Sequence, residues 1–551
     1  MDTGKEHPLV TKLKGAFAEG TLDRREFLRS ATLLGLSATA AYAFVGKVTG
    51  ESFVSPAKAA IPKGGHLKIA MGVPEVTPHT YNKLYDSNIG RQTHEYLTKT
   101  GHDNVTRGYL AKKWVVSEDL KTWTFHVQEG VKWHNGRTFT ADDAIWNIKK
   151  LLDPATGSSV LGLMKNYMLK DVEKDGKTTQ ELWDANAIEK VDDMTFRLNI
   201  STPQVAIPEH MFHYPFGIVD PEEGGKFGAG SNGTGPFELV EFGVKDKAVL
   251  KARSDYWGEG PYLDKLTFVD VGEEASAAVA ALASKQVHGL YVAEEAVIDV
   301  LDTLPDLVLY KTATAQTGMA RMKVDQKPFD DPRVRLALRY ATDNEKCVEL
   351  ALRGLGAVGE HHHVSPIHPE YAPLPKFPRD VAKAKALLAE AGYPDGLDLE
   401  ITVPKNPGYL PLGAQAIEQQ WLEAGVRMKI TIMPTQAYWE VWDKAPFTFS
   451  VWYGRPLGIM VLALAYRTGV AWNESGWSNT EFDGLLAKAE STLDVDERRK
   501  LVAKMEKIMQ EDGPIVMPMW KGAFTYMHKR VKGFQMHPTT YIFGNELGIE
   551  S

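Results

Sequence analysis

The residues best equipped for chemistry sit in a few short runs. Trp452-Tyr453-Gly454-Arg455 sets two aromatic rings beside a guanidinium. The planar fork of an arginine matches a carboxylate or a phosphate, and ring faces form walls around a small molecule. Arg455 therefore reads as an anion clamp, with a salt bridge at the surface or between domains as the competing role. Trp452 and Tyr453 read as an aromatic wall or as strand packing. His361-His362-His363, with His368 nearby, offers imidazoles of the kind that bind nickel or zinc. Consecutive residues cannot all face one point from regular structure, and neither Cys nor Asp flanks them. Hydrogen bonding to a ligand by His362 or His363, and a plain exposed loop, stay open beside the metal reading. Tyr81 and Tyr85 stand in a loop rich in Pro and Tyr, and Trp439 and Trp442 are three apart. Each is a candidate to line a cleft or to fill a core.

Several catalytic patterns begin and then fail. His94-Glu95 opens like a zinc-protease helix, but Thr98 stands where the second His belongs. Ala229-Gly230-Ser231-Asn232-Gly233 lacks the first glycine of a nucleophile elbow, and no triad order can be assigned. No Walker A sequence is present, so no P-loop site for ATP hydrolysis is expected in this chain. The single cysteine, Cys347, excludes an intrachain disulfide and lies among apolar neighbours, as a small buried hydrophobe does. No catalytic residue, resident metal or cofactor is expected. A net charge of −8 over 551 residues gives no basic footprint for nucleic acid.

Such a length, with 43% apolar residues, exceeds one ordinary core and calls for two or more domains. Residues 324–354 read as a handover between them. Asp331 is placed to cap a helix beginning at Pro332, and Val334, Ala337, Leu338 and Ala341 form its apolar face. Asp343 can cap a second helix that stops at Gly354. Beyond, Leu397, Leu399, Ile401 and Val403 alternate as a strand. Ile417, Trp421 and Ala424 make a helix face, and Val426, Met428, Ile430 and Ile432 alternate again, which favours a parallel crossover. Further helices are expected over 382–391, 481–490 and 496–511, the last with a solvated, charge-dense face. A last strand is expected over 514–520. Before the handover, residues 110–154 and 194–200 predict a small antiparallel sheet with one helix, opened by a capping box at Thr140 and Asp143.

At the amino terminus Arg24-Arg25 precedes a mild apolar run over 31–45, too short and too rich in Ala, Ser and Thr to span a bilayer comfortably. This resembles a twin-arginine export signal. Ala57-Lys58-Ala59 is the expected cleavage site, with Ala41-Tyr42-Ala43 as second choice and an uncleaved anchor as the competing reading. Removal of 1–59 leaves a chain of charge −10.

Taken in order, the runs 110–143, GTGPF at 233–237, PFDDPRVRLALRYATDNEK at 328–346, 380–396 and 479–490 resemble the family 5 extracellular solute-binding proteins, the dipeptide, oligopeptide and nickel receptors of ABC importers. The resemblance implies an α/β, two-lobed periplasmic-binding-protein (Venus flytrap) fold with an extra inserted subdomain. The implied division is a signal peptide at 1–59, lobe I at 60–105, 229–325 and 516–551, the inserted subdomain and return at 106–228, and lobe II at 326–515. It implies a monomer in the periplasm that captures a small peptide-like or carboxylate-bearing solute and hands it to the permease and ATPase subunits of the inner membrane. The twin-arginine machinery would export it. Peptide receptors of this family carry a W-x-x-D-type stretch whose acid takes the ligand's amino terminus; here Arg455 stands in the corresponding segment, which turns the expected ligand group from a cation to an anion. A nickel or metal-chelate receptor and an exported hydrolase on the same scaffold are the alternatives.

Overall fold

The computed structural model describes residues 6–49, 61–80, 84, 86–174 and 176–551. Tyr81, Tyr85 and the expected cleavage site at Ala57-Lys58-Ala59 lie outside the described residues.

One sheet of eleven strands runs through both halves of the molecule. On one side it contains Phe237–Gly243, Lys247–Ala252, Lys265–Val269, His66–Ala70 and Gly289–Leu290; on the other, Phe447–Ser450, Leu397–Pro404 and Val426–Met433. Two long antiparallel strands, Leu307–Met322 and Ile515–His528, join the sides, and the short strand Gly356–Val358 pairs with the second of them. Met527 pairs with Gly289 in the first lobe, whereas Met319 to Met322 pair with Ser450 to Phe447 in the second. The register between the two long strands breaks between Thr312 and Gln316 and again between Gly318 and Ala320. Such breaks bend and twist a ladder. The chain thus crosses between lobes by strand, twice, as a two-lobed fold requires.

The second lobe follows its sequence pattern closely. Leu399, Ile401 and Val403 point inward between exposed Asp398 and Glu400, and the strand pairs in parallel with Val426–Met433 across the helix Tyr409–Leu422. Asp331 accepts from the Arg333 amide at 2.8 Å and starts the helix Pro332–Tyr340; Asp343 accepts from the Lys346 amide and starts Asn344–Leu352. Arg353 and Gly354 both take left-handed φ to end it. Cys347 is fully buried, and burial pushes its thiol up to about 12.

Two elements differ from expectation. The first crossing strand is not legible in the sequence, because Lys311, Thr312, Thr314 and Gln316 interrupt any apolar alternation at the point where it leaves one core for the other. The helix Val495–Asp512 is not solvated on all its charged positions: Arg498 and Glu506 are buried. Arg498 donates to the carbonyls of Thr492 and Leu493, and burial pushes the Glu506 carboxyl up to about 9, so that it stays neutral.

The small sheet orders Ala111–Val116, Thr122–Val127, Thr195–Asn199 and Ile188–Asp192, with Trp123 and Phe125 fully buried beneath it. At the amino terminus, helices Pro8–Ala18, Arg24–Leu33 and Ala38–Thr49 pack through Phe17, Phe27, Ala31 and Val45 onto Val105. Among the described residues no helix is long and apolar enough to cross a membrane.

The GTGPF run owes its glycines to close backbone approach. A Cβ on Gly233 or Gly235 would collide with the Thr93 backbone, against which Gly235 N donates at 2.8 Å. Gly233→Ala is expected to lower unfolding free energy by about 1–3 kcal/mol. An unchanged urea midpoint would contradict this close packing.

Candidate functional site

Residues 451–458 run alongside the first crossing strand just beyond its register break. The Trp452 amide donates to Thr317 Oγ1 and the Thr317 amide donates to the Trp452 carbonyl, both at 3.0 Å. Gly454 lies against Ala315, which any Cβ there would crowd. Trp452 is held further by its indole Nε1, which donates to Glu474 at 2.7 Å. Glu474 also meets Arg321 at 3.1 Å, and Arg321 donates to the carbonyls of Trp442 and Ala445. The side chains of Thr317, Trp452, Glu474 and Arg321 are buried and matched, so the segment has a fixed position. Trp452 is thereby a buried anchor behind the site.

Tyr453 and Arg455 project from this anchored segment toward the first lobe. Arg455 is 4% exposed. Its Nη1 donates to the carbonyls of Tyr453 and Gly454, and its guanidinium lies 5.1 Å from the centre of the Tyr214 ring. Among the described residues no carboxylate forms an ion pair with it, and its Nε has no acceptor. Burial pushes the Tyr214 hydroxyl up to about 12 against the opposing pull of Arg455. Tyr453 is likewise raised by burial, with Tyr291, Asp86 and Tyr214 adding to the shift. Tyr291 bonds Thr540 at 2.7 Å, and Tyr541 is the next residue. Tyr453 and Arg455 of the second lobe are thus buried against a face that carries Tyr214, Tyr291, Tyr541 and Asp86. Such a site can bind, by ring faces, hydroxyls and a guanidinium; among the described residues no nucleophile paired with an oriented base stands in it.

The histidine run lies under this segment, fully enclosed, and its members diverge. The Met517 amide donates to His361 Nδ1, His362 Nε2 lies 3.1 Å from Glu360, and His363 Nε2 lies 2.9 Å from the Tyr466 hydroxyl. His368 accepts from the Ser365 amide and so donates through Nε2 to the Arg455 carbonyl at 3.0 Å. The exposed-loop reading fails because the crossing strands cover these rings; of the four, His363 packs edge-on to Trp452 and His368 holds the Arg455 carbonyl. Among the described residues no group of three or more His, Cys, Asp or Glu is arranged to hold a metal. Trp439 is not brought to Arg455: it packs on Tyr438 and Trp442 at the edge of the second core. His94 and Glu95 are structural, with Glu95 accepting from Tyr256 and Trp257.

Sequence reasoning missed Tyr214, Tyr291, Tyr541 and Asp86. Only the aromatic run His213-Tyr214-Pro215-Phe216 carried any signal.

A family model described as "Bacterial extracellular solute-binding proteins, family 5 Middle" matches residues 106–466. The dipeptide-binding protein of Bacillus subtilis (strain 168) is 27% identical over 474 residues, covering 81% of this chain and 85% of the relative. The glutathione-binding protein of Pectobacterium atrosepticum is 26% identical over 515 residues, covering 90% of this chain and 95% of the relative. Among solved structures, the Helicobacter pylori periplasmic binding protein DppA in complex with the peptide STSA superposes with a TM-score of 0.77 at 22% identity, over 89% of this chain and 99% of that one.

Buried neutral imidazoles set an acid limit on this arrangement. Burial lowers His79 to about 4 and His94, His210, His363 and His368 to about 3. The unfolded chain binds protons at these groups below about 6.5 while the fold does not, so their stabilisation is complete above that pH and is lost below it. Glu209 and Glu506, raised to about 7 and about 9, act in the opposite sense above about 4.5, as do Glu95, Glu370, Glu474 and Glu490. His213, His361 and His537, also lowered by burial, add to the histidine side, whose groups take up protons in the unfolded chain within the window from about pH 7 to 5. The urea midpoint is expected to fall as pH drops from 7 to 5; a flat or rising midpoint would contradict it.

Proposed function

The chain belongs to the bacterial extracellular solute-binding proteins of family 5, and from that premise we propose that it captures an anion-bearing small solute between its lobes and delivers it to an ABC permease. The observation that carries the ligand class is Arg455: a buried guanidinium without a carboxylate partner, held at the gap and facing tyrosines. A buried cation in that position is stabilised by an incoming carboxylate or phosphate, and would repel the amino terminus of a free peptide. Tyr453, Tyr214 and Tyr291 supply the walls, and the family's binding role supports a receptor that returns its solute chemically unchanged.

The hinge in this reading is the break in register at 312–316, with Lys521 opposite, and the lobes rotate about it as ligand enters. Arg24-Arg25 and the apolar run after it support export of the folded chain by the twin-arginine route to the periplasm, where the protein acts as a monomer.

Mass spectrometry of small molecules released from denatured, freshly purified protein identifies the solute. Binding at one molecule per chain without turnover is expected; turnover would favour a hydrolase. Arg455→Ala is expected to weaken the solute by about 1.5–3 kcal/mol, the range for a hydrogen bond to a charged group. An unchanged calorimetric affinity would remove Arg455 from the site. Replacing Arg24 and Arg25 together by Lys is expected to keep the chain out of the periplasmic fraction, and normal export would refute the twin-arginine route.

A further inference from the structure

Arg91, in the first lobe, repeats the situation of Arg455. It follows the short helix Asp86–Gly90 and is 8% exposed. Its guanidinium carbon lies 3.7 Å from the centre of the Tyr541 ring, 4.8 Å from that of Tyr96 and 5.4 Å from that of Phe212. Nη2 makes two long bonds of 3.4 Å, to Ser87 Oγ and the Tyr96 hydroxyl, and Nε is buried with no acceptor. No carboxylate of the described residues forms an ion pair with it.

Elsewhere this chain neutralises its buried arginines. Arg321 meets Glu474, Arg335 meets Asp512 and Arg467 meets Glu490. Arg339, which lacks a carboxylate, donates instead to the carbonyls of Glu511, Gly513 and Ile515. Arg91 and Arg455 have neither kind of full compensation. Both act on one group, the Tyr541 hydroxyl, whose pKa burial raises and the two cations lower. Asp86 acts on the same two tyrosines, Tyr214 and Tyr453. Rings soften the burial of a cation but do not neutralise it. Arg91 therefore stacks on the Tyr541 ring and Arg455 faces the Tyr214 ring, one from each lobe, and among the described residues neither has an ion-pairing carboxylate.

We propose that the captured solute carries two acidic groups, one meeting Arg455 of the second lobe and the other meeting Arg91 of the first. The shared chemistry is a compact dianion with two carboxylates, or with a carboxylate and a phosphate. This rests on the receptor reading and adds that the ligand itself ties the lobes together. A solute with one acidic group leaves one arginine buried and unanswered, which is how the site discriminates against it.

The purified full-length chain is incubated with the small-molecule fraction of a bacterial extract, and the retained solute is released, methylated and weighed by mass spectrometry. Two esterifiable acidic groups, or one with a phosphate, are expected. A retained solute with a single acidic group would overturn the two-arginine site and leave the receptor reading standing; retention of no solute would overturn both. Methylating either acidic group of the recovered solute is expected to cost wild-type protein at least about tenfold in affinity, the scale of one charge-assisted hydrogen bond. Arg91→Gln is expected to become indifferent to methylation at one group and Arg455→Gln at the other, a pattern that general damage to the fold does not produce. Arg91→Lys, which keeps the charge, serves as the folded comparison. Wild-type discrimination retained in Arg91→Gln would overturn the assignment of Arg91.

Discussion

The ladder between Leu307–Met322 and Ile515–His528 is the constraint on which the rest of the structure depends. These strands are the only ones whose pairing continues from one side of the described sheet to the other, and their register breaks where the cores change over. At the break Thr314 donates to the Lys521 carbonyl at 2.6 Å, and Lys521 reaches Glu295 of the first lobe at 3.0 Å in a buried ion pair. A buried pair of this kind contributes little net stability but penalises any arrangement that separates it. The crossing is thus fixed in position while its slipped ladder leaves it free to bend.

The segment of the second lobe proposed to meet the ligand hangs from this point. Thr317 holds Trp452, Glu474 holds both Trp452 and Arg321, and His368 holds the Arg455 carbonyl. These buried polar groups are expensive unless matched, and their matching leaves residues 451–458 one place to lie. Tyr453 and Arg455, the side chains proposed to meet the solute, stand outside this side-chain network, Arg455 donating only to the carbonyls of Tyr453 and Gly454. A polar network that satisfies its anchors and leaves its outermost cation facing tyrosines defines a recognition surface by exclusion.

Parts of this were legible from residue order alone. Alternation at 397–403 and 426–432 announced the parallel pair, because inward and outward positions differ sharply in polarity, and Asp331-Pro332 announced a helix start because cap and first turn have narrow requirements. The first crossing strand was not legible: its inward face belongs to two different cores, so no single alternation runs through it. The departure at Arg455 was visible as an arginine where an acid was expected, yet its partners were not. Tyr214, Tyr291 and Tyr541 come from separate segments far apart in the chain, and only the folded chain brings them together. The histidine run shows the converse, since three adjacent imidazoles in the sequence become three separate supports once each faces its own neighbour.

The central claim is that two rigid halves, hinged at this crossing, shut around a solute. Spin labels at Val244→Cys and Ile432→Cys, exposed positions on the first and second lobes, report the gap directly, and Cys347 is fully buried and out of reach of the label. Near the same rim Lys405 meets Glu274 at 2.7 Å across the lobes. Pulsed dipolar spectroscopy is predicted to give a broad, longer distance in protein stripped of solute and a narrow, shorter one after the small-molecule fraction is restored. One unchanging distance in both states would contradict the account.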